Sequence, residues 1–188
     1  MEAYANIISF VKELERLKVN TRTAWTSTGR QESIAEHSWR LSLFAMALQD
    51  DFPEMNFNKV LRMSLIHDLG EAYGGDIPAT KRTPLKRKLE KEEAALLKLI
   101  KPLSASSRQQ FVSLWKEYNK GETLEAKLVK ALDKIETIIQ HNQGKNPRDF
   151  DYSFNLQYGK EYAQFHPAVR KIRELVDIET SGKIGETK

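Results

Sequence analysis

Apolar residues recur at intervals of three and four along nearly the whole chain, the spacing that gathers them on one face of an α-helix. No stretch shows convincing two-residue alternation, and no internal repeat is present. The pattern predicts helices over residues 2–18, 33–49, 58–69, 84–100, 106–118, 124–141 and 159–176, the last interrupted at Pro167. The sequence therefore predicts an all-α fold, in which a bundle of central helices is wrapped by peripheral ones.

Length and composition narrow the class of protein further. The 188 residues fit a single domain over 1–180 with a polar C-terminal tail over 181–188. About 40% of the residues are hydrophobic, which is enough for a real core. The absence of cysteine excludes disulfides, thiolate zinc sites and cysteine nucleophiles. Any metal must therefore be held by nitrogen and oxygen atoms.

The charge distribution argues against two classes of partner. The chain has 30 basic and 26 acidic residues, mixed along most of its length. We interpret this mixture as solvated helix faces rather than a nucleic-acid-binding stripe. No apolar run approaches the roughly 20 residues that a membrane helix needs, and the first residues do not resemble a signal peptide. We therefore expect a soluble, cytoplasmic protein without a nucleic-acid or membrane partner.

Four polar residues interrupt three strongly apolar helices: His37, His67, Asp68 and Asp133. A carboxylate that is buried without a partner is costly, so such groups are usually paired or bound to metal. Two imidazoles and two carboxylates carry a net charge of about −2, which one divalent cation would balance. The donor set suits Mn, Fe, Co, Ni or Zn, with room for water that the ion could activate.

Simpler interpretations exist for each of these residues alone. A single helical histidine is more often a core or surface residue than a ligand, and a His-Asp pair occurs often by chance. Asp133 could pair with Lys130 or Lys134 on a solvated face. Of the other histidines, we expect His141 at the surface or complementing a helix C-terminus, and His166 to be structural or exposed.

The segment before the first central helix carries further candidates. Residues 19–32 are rich in Thr, Ser, Gly and Asn, which predicts a loop containing Arg22 and Trp25. Ser33 and Glu36 then have the spacing of a capping box, which predicts that the helix of His37 begins here.

Five short motifs in a fixed order resemble those of HD-domain metal-dependent phosphohydrolases, and most closely the 5′-deoxynucleotidase branch. The resemblance covers roughly residues 5–180. The motifs are Arg22-Thr23-Ala24-Trp25, Glu36-His37-Ser38, His67-Asp68-Leu69-Gly70-Glu71, Gly75-Asp76-Ile77-Pro78 and Leu132-Asp133-Lys134. Thr23 and Ala24 separate the arginine from the tryptophan, as in eukaryotic-like members; bacterial members have the two adjacent.

The resemblance implies a fold, a reaction and a set of roles. It implies an all-α domain that hydrolyses deoxyribonucleoside 5′-monophosphates to the deoxynucleoside and phosphate, commonly as a homodimer. Cobalt or manganese would be the cofactor, with Ni, Fe, Zn or Mg as other possibilities. The implied metal ligands are His37, His67, Asp68 and Asp133, and His37, Asp68 and Asp133 would also contact substrate. Arg22 would orient the phosphate, Trp25 would lie near the sugar, Glu71 would handle a proton, and Asp76, Ile77, Pro78 and Ala79 would line the nucleotide site.

Elementary chemistry agrees with several of these roles. An arginine offers a planar fork that can grip two phosphate oxygens. Glu71 would share a face with Asp68 if the helix continued for one more turn, and could then relay a proton. The simpler alternatives are an exposed Glu71 and an ordinary turn aspartate at Asp76.

Two other functions remain open from the sequence. One is hydrolysis of a different phosphate ester, such as an alarmone, a triphosphate or a cyclic nucleotide. The other is a non-catalytic helical module that binds nucleotide or protein, which a complete ligand set disfavours.

Overall fold

The fold is built almost entirely of helices, as the periodicity predicts. The computed structural model describes residues 1–76 and 84–186, so the predicted site residues Ile77, Pro78 and Ala79 lie outside the described residues. The α-helices within these ranges are α1 (Glu2–Glu13), α2 (Arg16–Val19), α3 (Ile34–Ala47), α4 (Phe57–Ile66), α5 (Leu85–Leu99), α6 (Ala105–Lys120), α7 (Leu124–Gln143) and α8 (Pro167–Glu186). The all-α prediction is confirmed.

Helices α3, α4 and α7 pack against one another at the centre. Their contact is formed by fully buried apolar side chains, including Leu41 on α3, Val60 and Met63 on α4, and Leu132 and Ile135 on α7. Burial of each such side chain contributes about 1.5–3 kcal/mol relative to an exposed one. This core fixes the relative positions of the three helices that carry the polar residues singled out from the sequence.

Helix α3 begins at the predicted capping box. The Ser33 side chain accepts a hydrogen bond from the Glu36 amide, and the Glu36 carboxylate accepts one from the Ser33 amide. The two bonds satisfy amides that have no partner in the first helical turn. The predicted helix start is confirmed, and it places His37 in the first turn.

Residues 19–32 do not form the predicted loop throughout. They include a short antiparallel pair, β1 (Thr21–Trp25) and β2 (Gln31–Ser33), with Thr21 opposite Ser33 and Trp25 opposite Gln31. The ladder is irregular between Thr21 and Trp25 because four residue steps on β1 face two on β2. Strands this short and irregular produce no readable alternation, which is why the periodicity missed them.

Helix α4 ends at Ile66, three residues earlier than predicted, and a short 3-10 turn over Leu69–Glu71 follows. Helix α5 packs tightly against this turn. A Cβ added at Gly70 would lie 2.7 Å from Cβ of Glu92, so only glycine allows the approach. The contact brings α5 over the end of α4.

The C-terminal region completes the periphery. The predicted interruption at Pro167 is confirmed, since α8 begins there with proline in its first turn. Helix α8 continues to Glu186, ten residues beyond the predicted end at residue 176. None of the described helices combines the length and apolarity that crossing a bilayer requires.

Candidate functional site

Four side chains converge where α3, the end of α4 and α7 meet. His37 Nε2 lies 3.2 Å from Asp133 Oδ1 and 3.9 Å from Asp68 Oδ2. His67 Nε2 lies 3.1 Å from Asp68 Oδ2. The two histidines and Asp133 are buried, and their potential ligand atoms are close enough to share one metal ion. The structure thus brings together the four residues predicted as ligands.

The second nitrogen of each imidazole shows how the ring is oriented. His67 Nδ1 lies 2.9 Å from the Ser64 carbonyl oxygen, which can only accept, so Nδ1 must carry the hydrogen. His37 Nδ1 is hydrogen-bonded in the same way to the Glu136 carboxylate. Both Nε2 atoms are buried and lack a hydrogen-bond partner among the described residues. Because each Nδ1 donates to a fixed acceptor, each Nε2 is free to bind a metal, and this donor set fits a divalent ion.

Asp133 has two oxygens with different surroundings. Oδ1 faces His37, whereas Oδ2 accepts from the Tyr118 hydroxyl at 2.8 Å and from Lys134 Nζ at 2.9 Å. Burial acts to raise the pKa of Asp133, but the Lys134 charge and the histidines outweigh burial and hold it well below its usual range. The pairing with Lys134 is therefore present, although it leaves the other oxygen available to a cation.

The cluster as a whole attracts positive charge. Burial and the neighbouring Arg22 act to lower the pKa of His37, but the Glu136 and Asp133 carboxylates outweigh both and raise it to about 9 in the metal-free protein. In the metal-free protein, His37 therefore holds a proton at the place where a divalent cation would balance the negative charge of the same carboxylates.

Arg22 is buried beside this cluster with part of its guanidinium unsatisfied. Its NH2 donates to Thr137 Oγ1 at 2.9 Å, while NH1 lies 3.9 Å from Glu32 and 4.0 Å from Glu136. NH1 has no hydrogen-bond partner among the described residues, and the Arg22 side chain lines a cavity that is described below. Burial acts to lower the pKa of Arg22, but Asp68 and Glu136 outweigh it, so the guanidinium stays charged and can bind an anion.

Glu71 lies at the cavity wall, 6% exposed, so the alternative of an exposed glutamate is wrong. Its amide bonds to the Asp68 carbonyl at 2.9 Å, so the 3-10 turn keeps the two residues near each other although the helix has ended. Burial first, and then the charges of Asp68 and Asp76, raise the pKa of Glu71 well above its usual value. A carboxyl that stays protonated can donate a proton.

The cavity has a volume of about 740 Å³, within the range of small-molecule sites. Asp76 and Lys88 of α5 also line this cavity. Lys88 Nζ lies 4.0 Å from Glu71 Oε1. The same cavity is also lined by aromatic side chains, here called the aromatic wall, which are Trp25, Phe150, Phe154 and Tyr158. Phe150 and Phe154 lie between the helices predicted over 124–141 and 159–176, and the density of aromatic residues in this segment was a signal of the wall.

The irregular strand explains how both residues of the separated Arg-Trp motif reach the cavity. In a regular strand, residues three apart face opposite sides of the sheet. The extra residues between Thr21 and Trp25 alter that alternation, so that Arg22 and Trp25 both line the cavity. Trp25 also packs edge-on against Phe150, with 6.5 Å between the ring centroids.

Two residues, His141 and Glu136, differ from their sequence-based interpretation, whereas His166 agrees with it. His141 is buried, not exposed, with Nδ1 3.0 Å from Asn155 Oδ1 and Nε2 3.3 Å from the Thr23 carbonyl. Burial lowers its pKa, which favours the neutral imidazole, and the ring also lines the cavity. His166 is half-buried against Phe52, consistent with a structural role. Glu136 was missed, although it lies one helical turn after Asp133 in an apolar stretch.

Comparison with known proteins places these features in context. A family model described as HD domain matches residues 14–173. The chain is 32% identical to 5'-deoxynucleotidase HDDC2 of Mus musculus over 183 residues, covering 96% of this chain and 91% of the relative. It is 31% identical to 5'-deoxynucleotidase HDDC2 of Dictyostelium discoideum, covering 86% of this chain and 91% of that relative. Among solved structures, a predicted metal-dependent phosphohydrolase from Magnetospirillum magnetotacticum superposes with a TM-score of 0.78 at 26% identity, covering 97% of both chains.

Proposed function

Because the chain belongs to the HD-domain family, we propose that it is a metal-dependent phosphohydrolase that releases phosphate from deoxyribonucleoside 5′-monophosphates. The observation that carries the proposal is the four-residue cluster beside the unsatisfied guanidinium of Arg22, at the wall of one cavity. The relatives named as 5'-deoxynucleotidases support the choice of substrate.

In this proposal, His37 and His67 would hold the metal through Nε2, and Asp68 and Asp133 through carboxylate oxygens. When bound, the ion would supply charge neutralisation and activation of water. The family resemblance implies that the ion is cobalt or manganese. The nitrogen and oxygen donors also suit Ni, Fe or Zn.

The other residues bind and orient the substrate. Arg22 grips phosphate oxygens through NH1, which has no hydrogen-bond partner in the described part of the chain, and remains anchored to Thr137 through NH2. The aromatic wall would hold the sugar and base, with Trp25 nearest the arginine on the same strand. Asp76, which lines the same cavity, would line the nucleotide site. Ile77, Pro78 and Ala79 keep the nucleotide-site role that the resemblance implies for them.

Glu71 supplies the proton that the leaving group needs. As water adds to phosphorus, the bond between phosphorus and O5′ breaks and O5′ takes the proton of Glu71. One proton of the attacking water stays on the phosphate, and the other passes to the Glu71 carboxylate and restores its acid form. The deoxynucleoside leaves neutral and phosphate remains at Arg22. The raised pKa of Glu71 keeps this proton available near neutral pH.

A phosphate-release assay tests the proposal across all deoxy- and ribonucleoside monophosphates, with Co²⁺, Mn²⁺, Ni²⁺, Zn²⁺ and Mg²⁺ in turn. We expect turnover of the deoxy series to exceed that of the ribo series. Phosphate release from an alarmone, a triphosphate or a cyclic nucleotide, with none from the monophosphates, would contradict it.

Removal of the metal should abolish activity reversibly. Treatment with a chelator followed by dialysis is expected to eliminate phosphate release, and added Co²⁺ or Mn²⁺ should restore it because His37 and Asp133 lie on preformed helices and His67 and Asp68 directly follow a third. Circular dichroism before and after treatment controls for unfolding. Full activity in protein shown by elemental analysis to be metal-free would contradict the prediction.

Replacement of Arg22 by alanine should mainly impair phosphate engagement. Loss of a hydrogen bond to a charged group costs about 1.5–3 kcal/mol, so kcat/KM should fall roughly 10- to 150-fold. Arg30→Ala is the matched control, since Arg30 lies just before β2 but is exposed and pairs with Glu36. Steady-state kinetics measure both variants, and equal kinetics for Arg22→Ala and wild type would remove Arg22 from the site.

That the protein is a homodimer and that it is cytoplasmic both remain predictions. Analytical ultracentrifugation of the purified protein measures its oligomeric state directly.

A further inference from the structure

Glu136 is a buried carboxylate, 1% exposed, that the proposed reaction does not use. Its Oε2 contacts His37 Nδ1 and lies 4.0 Å from Arg22 NH1. Its Oε1 lies 2.7 Å from Arg40 Nε. The Glu136 side chain therefore contacts a predicted metal ligand, His37, and two arginines, Arg22 and Arg40. Arg22 is the predicted phosphate-binding residue, and Arg40 anchors the carboxylate.

We propose that Glu136 is the positioning residue of the metal site, which fixes the His37 imidazole so that Nε2 points at the ion. The inference rests on the proposed function, since it assumes that His37 is a ligand. A carboxylate acceptor at Nδ1 sets the tautomer and ring orientation, and increases the basicity of the opposite nitrogen. His67 has only a backbone carbonyl in the equivalent position, so a side-chain substitution can probe this effect at His37 alone.

Arg40 extends the arrangement toward the substrate side. Arg40 NH1 donates to Gln140 Oε1 at 2.6 Å, and Gln140 Nε2 donates to the Trp25 carbonyl at 2.6 Å. Hydrogen bonds and ion pairs thus run from His37 through Glu136, Arg40 and Gln140 to β1. The strand that carries Arg22 and Trp25 is tied to the same carboxylate that orients the metal ligand.

A second metal site is the competing interpretation of this cluster. Glu32, His37 and Glu136 also have potential ligand atoms close together. However, Arg22 NH1 already lies within 4.0 Å of both carboxylates, and His37 Nδ1 carries a hydrogen toward Glu136. The local positive charge is therefore the guanidinium, which already balances these carboxylates without a second cation at Glu32, His37 and Glu136.

Calorimetric titration of the chelator-treated protein with Co²⁺ tests the proposal without relying on activity. Loss of an outer-shell partner weakens metal binding by roughly 10- to 100-fold, which is the effect expected for Glu136→Gln. The visible absorption spectrum of bound Co²⁺ should also change, because the ligand field at His37 is altered. Glu125→Gln is the matched control, since Glu125 lies on the same helix and pairs with Lys59, away from the site. It should bind Co²⁺ as wild type does.

A second variant covers the case in which Glu136→Gln does not fold. Arg40 is partly exposed, and Arg40→Gln would release Glu136 from its anchor without touching His37. We expect a smaller loss of Co²⁺ affinity in the same direction. Wild-type affinity and spectrum in both variants would overturn the role of Glu136. If wild-type protein itself bound no Co²⁺, the proposed function would fail first.

Discussion

Replacement of Asp68 by alanine is expected to reduce phosphate release by more than about a hundredfold, because loss of an outer-shell partner alone costs about 10- to 100-fold. Asp68 is the carboxylate 3.1 Å from His67 Nε2 and 3.9 Å from His37 Nε2. Its loss would leave two imidazoles and one carboxylate, with too little negative charge to hold a dication tightly. Turnover of a deoxynucleoside monophosphate with saturating Co²⁺ measures the effect.

The fold should survive this change. Asp68 follows the end of α4, and its carboxylate faces His37 and His67 rather than the apolar core, so circular dichroism and the melting temperature of the metal-free protein should stay close to wild type. Asp133→Ala should be equally inactive but less stable, since it leaves the partly buried Lys134 without its partner and removes the acceptor of the Tyr118 hydroxyl. Asp50→Ala, at an exposed position, is the control. Retained activity in a folded Asp68→Ala protein would refute the ligand assignment.

Replacement of Glu71 by glutamine is expected to lower kcat by about 10²- to 10⁴-fold, the usual contribution of general acid catalysis. Glutamine keeps the shape and neutrality of the protonated carboxyl but cannot deliver a proton to O5′. KM should change little, because substrate contacts remain. Steady-state kinetics of Glu71→Gln beside Glu90→Gln, an exposed glutamate on α5, separate this effect from a general change in charge.

The pH dependence of the wild-type enzyme provides an independent readout of Glu71. The raised pKa means that the acid form is present below that pKa and is lost as the pH rises through it. A bound cation would offset the charge of Asp68, but burial, the largest cause, would still favour the neutral carboxyl. Activity should therefore fall on the alkaline side, and that fall should be missing in Glu71→Gln. An unchanged alkaline limb in the variant would assign the proton to another group.

The helices and the polar cluster were predictable because both depend on local pattern. Core helices such as α7 repeat their apolar residues over several turns, so the period is unambiguous. Asp133 and His67 stand out within such patterns, since a polar residue at a buried position needs a compensating partner. Their convergence could be argued from charge balance, although the distances could not.

Other features depend on tertiary contacts that the sequence does not reveal. The strands β1 and β2 are too short and irregular to show alternation, yet they bring Arg22 to the cluster. Glu136 looks like any helical glutamate until the packing of α3 against α7 brings His37 to it. His141 was misread for the same reason, because its partner Asn155 is supplied by a later segment.

Anomalous diffraction from crystals grown with Co²⁺ is the most direct test of a shared metal ion on the three central helices. The account predicts one dominant peak per chain, within about 2.0–2.2 Å of His37 Nε2, of His67 Nε2 and of an oxygen of each of Asp68 and Asp133. A peak bound elsewhere, or no peak from protein that turns over substrate, would contradict it.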